Sequence, residues 1–368
     1  MSGAGKFTDA KETRILMNEF GARREPFFFA VDFEMEGAIF EPDPFGSGDV
    51  FFSMRGIGNK ERGIREGLLP DLSAPSPSPS STPAPSPSPS PVAAAPEPSG
   101  FLSVDPIGYQ EYLEKFGVVR RGLLRGDSFL VNLTVRTPVR MRDTLTMASV
   151  FVKSDSLFQF YLPGGFVCFS PETFVTMRDG EIATHPMKGT IDASVPDAGE
   201  KILNDFKESA EHATIVDLMR NDLSVFSTDV RVARYRYLDL LKTSEREILQ
   251  VSSEVRGKLP PDWEKSLGDA IFGLLPPGSC SGAPKESTLR IIREAEGEKR
   301  GYYTGVAGLF DGEGLDSAVL IRFIREDARG NHHFRSGGGV TAYSSPEDEY
   351  REALEKIYLP FSRIPGKG

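Results

Sequence analysis

The order in which strand-like and helix-like segments follow one another most limits what this 368-residue chain can fold into. After Gly100, "SFLVNLTVRT", "LFQFYL", "FVCFSPETFVTM", "VRVARYRYLDLLKT" and "EREILQVSSEV" are rich in β-branched and aromatic residues, several in alternation, and predict strands. "PIGYQEYLEKFGVVRRGLLRGD", "AGEKILNDFKESAEHATIVDLMRNDLS", "WEKSLGDAIFGLL" and "PKESTLRIIREAEG" space their apolar residues helically, the last with a proline in its first turn. "YYTGVAGLF", "DSAVLIRFI" and "NHHFRSGG" return to strand, and "SPEDEYREALEKIY" closes as a helix opened by a Ser-x-x-Asp/Glu start. Parallel neighbours need a long crossover between every pair, whereas here strands come in runs between helices. The pattern predicts antiparallel sheets with helices outside, an α+β fold.

Ahead of this region, "PFFFAVDFEM", "GAIF" and "GDVFFSM" are aromatic-rich runs split by Gly, Pro and Asp, which predict hairpin strands. Residues 1–72 are therefore expected to complete the sheets of the main domain spanning 101–365. Between them, Ser73 to Gly100 alternates proline with small residues, which removes backbone donors and leaves nothing to bury. It reads as an extended tether reaching on the order of 80 Å, either an insertion in a surface loop or a docking peptide for a proline-recognising module.

A formal net charge of −10 argues against nucleic acid and anionic membrane as partners, since nothing obvious neutralises phosphates. Cys168 and Cys280 stand far apart, and His185, His212, His332 and His333 lack the spacing of a zinc site, as expected of a reduced cytoplasmic protein. No apolar run approaches the length of a membrane span.

Several residues could carry chemistry. Glu208 and Glu211, and again Glu349 and Glu352, lie three apart on predicted helices, so each pair shares a face. Two such faces could cage Mg²⁺ in hard oxygen ligands, although glutamates three apart are also commonplace on solvated helices. "GLLPPGSCSGAPKES" lacks the Gly-Lys-Ser/Thr of a phosphate loop, but its free amides and Lys285 could hold an anion. Gly337 to Gly339 would form either a turn or a backbone that approaches a ligand closely. Arg322 falls inside an apolar strand-like run, where it faces water or a buried carboxylate. Lys188 is pinned between Pro186 and Gly189; its amine is a nucleophile only if desolvation or a nearby cation lowers its pKa, and otherwise it is an ordinary lysine.

"SPETF" (170–174), "HPMKGT" (185–190), "ESAEHATIVDLMRNDL" (208–223), "PPGSCSGAPK" (276–285), "RGYYTGVAGLF" (300–310), "LIRF" (320–323) and "GGGVTAYSSPEDEYREALEKI" (337–357) together resemble the chorismate-utilising enzymes. The resemblance implies a large antiparallel two-sheet core with helices packed outside. It also implies that Glu211 and Glu352 bind Mg²⁺, with Glu208 and Glu349 supporting through water, and that the ion holds the ring carboxylate of chorismate. Tyr303 and Arg322 would meet the enolpyruvyl carboxylate, Ser281, Gly338 and Gly339 would line the site, and Lys356 would lie beside the metal.

Within that family, anthranilate-forming members carry Ala where this chain has Lys188, and "PMKGT" is similar to the aminodeoxychorismate-forming branch. By resemblance, Lys188 attacks ring C2 while Glu172 protonates the departing C4 hydroxyl, and ammonia then adds at C4 and expels the lysine. That activity serves p-aminobenzoate and folate synthesis and takes its ammonia from a separate glutamine amidotransferase subunit. Leu130 stands where the amine-forming members usually have Gln and the isochorismate-forming ones Lys, and Gln250 where relatives often have His. The competing expectations are an anthranilate synthase component I and a non-catalytic chorismate-binding scaffold, the latter disfavoured by the presence of Glu172, Lys188 and all four glutamates.

Overall fold

A computed structural model describes residues 7–72, 102–141, 145–242 and 247–360, and the proline-rich segment read as a tether lies outside them. Two antiparallel sheets stack face to face. The larger runs, edge to edge, through strands Thr8–Asp9, Gly37–Glu41, Phe27–Val31, Val306–Phe310, Leu315–Val319, Thr173–Arg178, Glu181–Thr184, Glu247–Lys258 and Met187–Asp192, with Thr228–Lys242 also paired to Glu247–Lys258. The smaller runs through Gly282–Ala283, Leu130–Met141, His332–Val340, Phe323–Glu326, Phe166–Ser170, Phe158–Leu162, Phe51–Met54 and Ile57–Gly58, with Leu102–Val104 on Leu130–Met141. The N-terminal strands thus contribute to both sheets.

Phe28 and Ala307 from the larger sheet meet Phe52, Phe158, Phe160 and Phe323 from the smaller, and this apolar layer joins the two. Phe28 stacks on Phe52 with ring centroids 5.0 Å apart; full burial of such a side chain stabilises the fold by about 2–3 kcal/mol. Helices Ala10–Arg23 and Leu267–Leu274 cover the outer face of the larger sheet through Met17, Leu267 and Ile271. Helices Tyr109–Arg125, Lys285–Glu296 and Pro346–Glu355 cover the smaller through Phe116, Ile292 and Ala353. Among the described residues no helix is long and apolar enough to cross a membrane.

Three sequence readings change. "DSAVLIRFI" is two strands, Leu315–Val319 in one sheet and Phe323–Glu326 in the other, so the chain crosses between sheets at residues 320–322. Arg322 lies in that crossing with φ of +56°, outside any strand, because a twofold alternation cannot continue where the chain changes sheets. Gly337 to Gly339 lie within strand His332–Val340, not in a turn, and Gly337 has no room for a side chain, because a Cβ there would stand 2.1 Å from the Leu133 carbonyl oxygen. The helix Ala10–Arg23 is an addition. Its N-cap is Asp9, whose carboxylate accepts from the Glu12 amide at 2.8 Å.

Candidate active site

The glutamate pairs occupy two helices. Glu208 and Glu211 lie on Phe206–Leu223, whose N-cap Asp205 accepts from the Glu208 amide at 2.8 Å, and Glu349 and Glu352 lie on Pro346–Glu355, capped by Ser345. Each pair packs against a bare glycine. A Cβ on Gly189, whose φ is +90°, would come 3.0 Å from Glu208 Oε2, and one on Gly338 would come 3.0 Å from Glu349 Oε2 and 3.3 Å from Glu352 Oε1. The Ser344 hydroxyl donates to Glu349 Oε1 at 2.8 Å.

Two lysines meet these carboxylates. Lys188 Nζ stands 2.9 Å from Glu211 Oε2, and Lys356 Nζ stands 2.5 Å from Glu352 Oε1 and donates to the Gly337 carbonyl at 2.8 Å. Burial by itself lowers the pKa of the Lys188 ammonium, but Glu211, with Glu352 and Glu208 behind it, outweighs burial and raises it. Lys188 therefore rests as a cation in a salt bridge, not as the free amine a nucleophile requires. Lys356 shifts the other way: burial lowers its pKa, Arg322 and Lys188 add to the fall, and Glu352 opposes it.

Backbone geometry fixes Lys188. Its strand pairs with Glu247–Lys258 through Met187↔Ser252 and Thr190↔Gln250, with a register shift between them that re-aims the lysine. Buried His212 bridges to it: Nε2 lies 2.7 Å from Ser253 Oγ and Nδ1 lies 3.4 Å from the Lys188 carbonyl. Burial, helped by Arg236, lowers the imidazole pKa and keeps it neutral.

Glu172 precedes strand Thr173–Arg178 and accepts from Ser279 Oγ at 2.6 Å. Burial raises its pKa, against the opposing pull of the Ser279 hydrogen bond, Arg322 and Lys356. Arg322 Nε donates to the Tyr358 hydroxyl at 3.2 Å, and its charge is felt by buried Tyr303, whose phenol pKa burial raises. Lys356 is the hub, since it senses Lys188, Arg322 and Glu352 and is sensed by Glu172. Glu172, Lys188, Tyr303, Arg322, Lys356 and the glutamates thus share one electrostatic neighbourhood.

Other expected residues stand differently. Ser281 is fully buried, and its hydroxyl donates to the Pro277 carbonyl at 2.9 Å, which holds the turn rather than presenting a donor. Gly339 turns its bare face toward Leu130, 3.1 Å from an added Cβ. Lys285 is no anion holder, because it pairs with Asp222 at 3.0 Å and donates to the Leu274 carbonyl at 2.9 Å. Ser279, Tyr358, Ser344 and His212 were not singled out from the sequence; a serine or tyrosine gives no signal until folding sets it against a carboxylate or a guanidinium.

As donors, the glutamates suit a hard divalent cation, which prefers carboxylate oxygen and retained water. The two bare glycines leave room beside them that any side chain would fill. Among the described residues, however, no three His, Cys, Asp or Glu side chains stand together as a ready-made metal site. Glu211 and Glu352 each face an ammonium group, Lys188 and Lys356.

The chain matches the chorismate binding enzyme family over residues 62–361. It is a chorismate-binding enzyme. An uncharacterised PabA-like protein of Haemophilus influenzae is 42% identical over 343 residues, covering 93% of this chain and 94% of that one. The solved anthranilate synthase component I of Streptococcus pneumoniae is 28% identical with a TM-score of 0.60, over 71% of this chain and 59% of that chain. The menaquinone-specific isochorismate synthase of Escherichia coli shares the fold, with a TM-score of 0.67 at 16% identity over 97% of this chain and 83% of that one. The two-sheet α+β architecture expected from the sequence is that of these structures, and the resemblance read from the motifs is to the family the chain belongs to. As a chorismate-binding enzyme it uses chorismate, a dianion.

Proposed function

We propose that the chain is the chorismate-aminating component of an aminodeoxychorismate synthase, converting chorismate and ammonia to 4-amino-4-deoxychorismate on the route to p-aminobenzoate and folate. The observation that carries this reading is that Lys356 lies within electrostatic reach of both Lys188 and Glu172. Lys188 is an ammonium paired with Glu211 at 2.9 Å, and Glu172 is a buried carboxyl group whose pKa burial raises.

In this reading Lys188, having lost one proton to solvent and left Glu211, attacks ring C2. The ring double bonds shift, the C4–oxygen bond breaks, and Glu172 supplies the proton with which the hydroxyl leaves as water. Ammonia then bonds to C4, the double bonds shift back, and the C2–nitrogen bond breaks to return the Lys188 amine, while the surplus proton on the new amine goes back to Glu172. A poor leaving group needs the acid, and the covalent step divides a hard displacement in two. Arg322, with Tyr303, is suited to the enolpyruvyl carboxylate, which a guanidinium fork can clasp at two oxygens.

Glu211 and Glu352, supported by Glu208 and Glu349, would hold Mg²⁺. When bound, the ion would supply charge for the ring carboxylate and compete with Lys188 and Lys356 for their carboxylates. Gly338→Ala should then weaken Mg²⁺ binding about 10- to 100-fold, because Glu349 and Glu352 must give way to the new methyl group. Calorimetric titration reads this directly, and an unchanged affinity would remove these two glutamates from the site. Ammonia would come from a glutamine amidotransferase subunit.

The deciding experiment is mass spectrometry of the product formed from chorismate, Mg²⁺ and an ammonium salt. Aminodeoxychorismate supports the reading, anthranilate places the chain with the C2-aminating enzymes, and isochorismate or salicylate with the hydrating ones.

A further inference from the structure

Glu172 and Ser279 are brought together by two independently anchored pieces of backbone. Glu172 is fixed by its amide donating to Ser170 Oγ at 3.1 Å and its carbonyl accepting from the Val319 amide at 3.1 Å. Ser279 belongs to the turn Gly278–Ser281, closed by the Cys280 and Ser281 amides on the Pro277 carbonyl at 3.1 and 2.9 Å. Arg300 reaches that turn from the opposite side and donates to the Cys280 carbonyl at 2.8 Å. With both ends fixed, the 2.6 Å contact is set by the fold and not by two mobile side chains finding each other.

The surroundings give the contact its consequence. Both residues line a small cavity whose wall is mainly Phe174, Val175, Leu274, Pro277 and Val319, with Asp222 its other charged group. The groups that act on Glu172 are Ser279 and Cys280 from the turn, Arg322 from the sheet crossing and Lys356 beyond the last helix. Ser279 alone among them is hydrogen-bonded to it. A serine hydroxyl rotates freely in water, but beside an acceptor in an apolar wall it has one favoured direction.

We propose that Ser279 is the positioning residue for Glu172: its hydroxyl donates to Oε1 and so leaves Oε2 as the oxygen that holds the proton and releases it to the departing hydroxyl. The assignment of the acid's partner rests on the amination reading, whereas the hydrogen bond and its effect on the carboxyl group do not. Ser279 stabilises the ionised carboxylate, so its removal moves ionisation of Glu172 to higher pH. The enzyme needs Glu172 protonated, and activity falls as pH rises through that ionisation. Loss of the hydroxyl therefore shifts the alkaline limb of the rate profile upward while lowering the rate beneath it, since the proton is no longer aimed.

The test compares Ser279→Ala with Ser279→Thr, which keeps a hydroxyl at the same carbon. Infrared titration follows the protonated carboxyl band of Glu172, assigned by its loss in Glu172→Gln, and needs no turnover. Its midpoint should rise in Ser279→Ala and stay at the wild-type position in Ser279→Thr. If the wild type aminates chorismate, kcat of Ser279→Ala should fall roughly 10- to 100-fold with the chorismate KM within about twofold, and its alkaline limb should move up. An infrared midpoint that does not move in Ser279→Ala overturns the proposal, as does a fall in kcat with the limb in place. Absence of any aminated product in the wild type overturns the amination reading instead, and the infrared midpoint then decides the hydrogen bond's role alone.

Discussion

Lys188→Ala should remove ammonia-dependent product formation, by a factor on the order of 10³ or more, while chorismate still binds. Loss of a nucleophile forces the reaction back to direct displacement, and single deletions within a catalytic unit cost factors of this size. The resting structure sharpens the expectation. Lys188 is a cation paired with Glu211 at 2.9 Å, its side chain 25% exposed against 7% for its partner. A purely electrostatic lysine would be replaceable by arginine, which keeps the pair with Glu211 and the positive charge. A nucleophile would not, because a guanidinium does not lose its proton in this pH range. Lys188→Arg is therefore expected to be as inactive as Lys188→Ala, and mass spectrometry of wild-type protein stopped during turnover should find chorismate-derived mass on the peptide carrying Lys188. Turnover by the arginine variant above about a tenth of wild type, or mass on another residue, would assign Lys188 to charge balance.

How much of this was legible before folding depends on the range over which each signal acts. Local signals were read well. Ser345 before Asp348 marked the last helix, the glutamate spacings placed each pair on one face, and clustered strands announced antiparallel sheets. Signals that depend on distant partners were not. Arg322 looked like a strand residue because its neighbours are apolar, and only the change of sheet at residues 320–322 puts it in a crossing, with positive φ. Lys188 was read as a nucleophile or an ordinary lysine, and its resting partner was not legible: carboxylates on two helices set its charge and raise its pKa. Ser279 was visible only as one serine among several in "GSCSG". Its role follows from a glutamate 107 residues away.

The largest effect on stability should come from Arg300→Met. Arg300 and Glu296 are both buried, with side chains 1% exposed, and Arg300 donates to Glu296 Oε1 at 2.6 Å and Oε2 at 3.0 Å. It also serves the carbonyls of Asn132 at 2.6 Å and Cys280 at 2.8 Å, and lies over the Phe33 ring. Glu296 accepts further from the Thr134 amide and hydroxyl, each at 2.9 Å, and from Arg335 at 3.3 Å. Methionine fills much of the arginine's volume but satisfies none of these acceptors. It leaves a buried carboxylate with only a longer contact to Arg335 as its ionic partner. Breaking one side of such a pair costs about 3–5 kcal/mol, because the remaining charge stays desolvated, and a domain holds only about 5–15 kcal/mol in total. Denaturant unfolding should show the midpoint falling with an unchanged slope. A loss below about 1 kcal/mol, the scale of an exposed ion pair, would mean that water reaches Glu296 once the guanidinium is gone. The same variant loosens the turn that carries Ser279, so its residual activity, corrected for the folded fraction, should also fall below wild type. Stability and the proposed aiming of Ser279 would be joined at this arginine, because it serves both the Asn132 carbonyl in the smaller sheet and the Cys280 carbonyl in the turn.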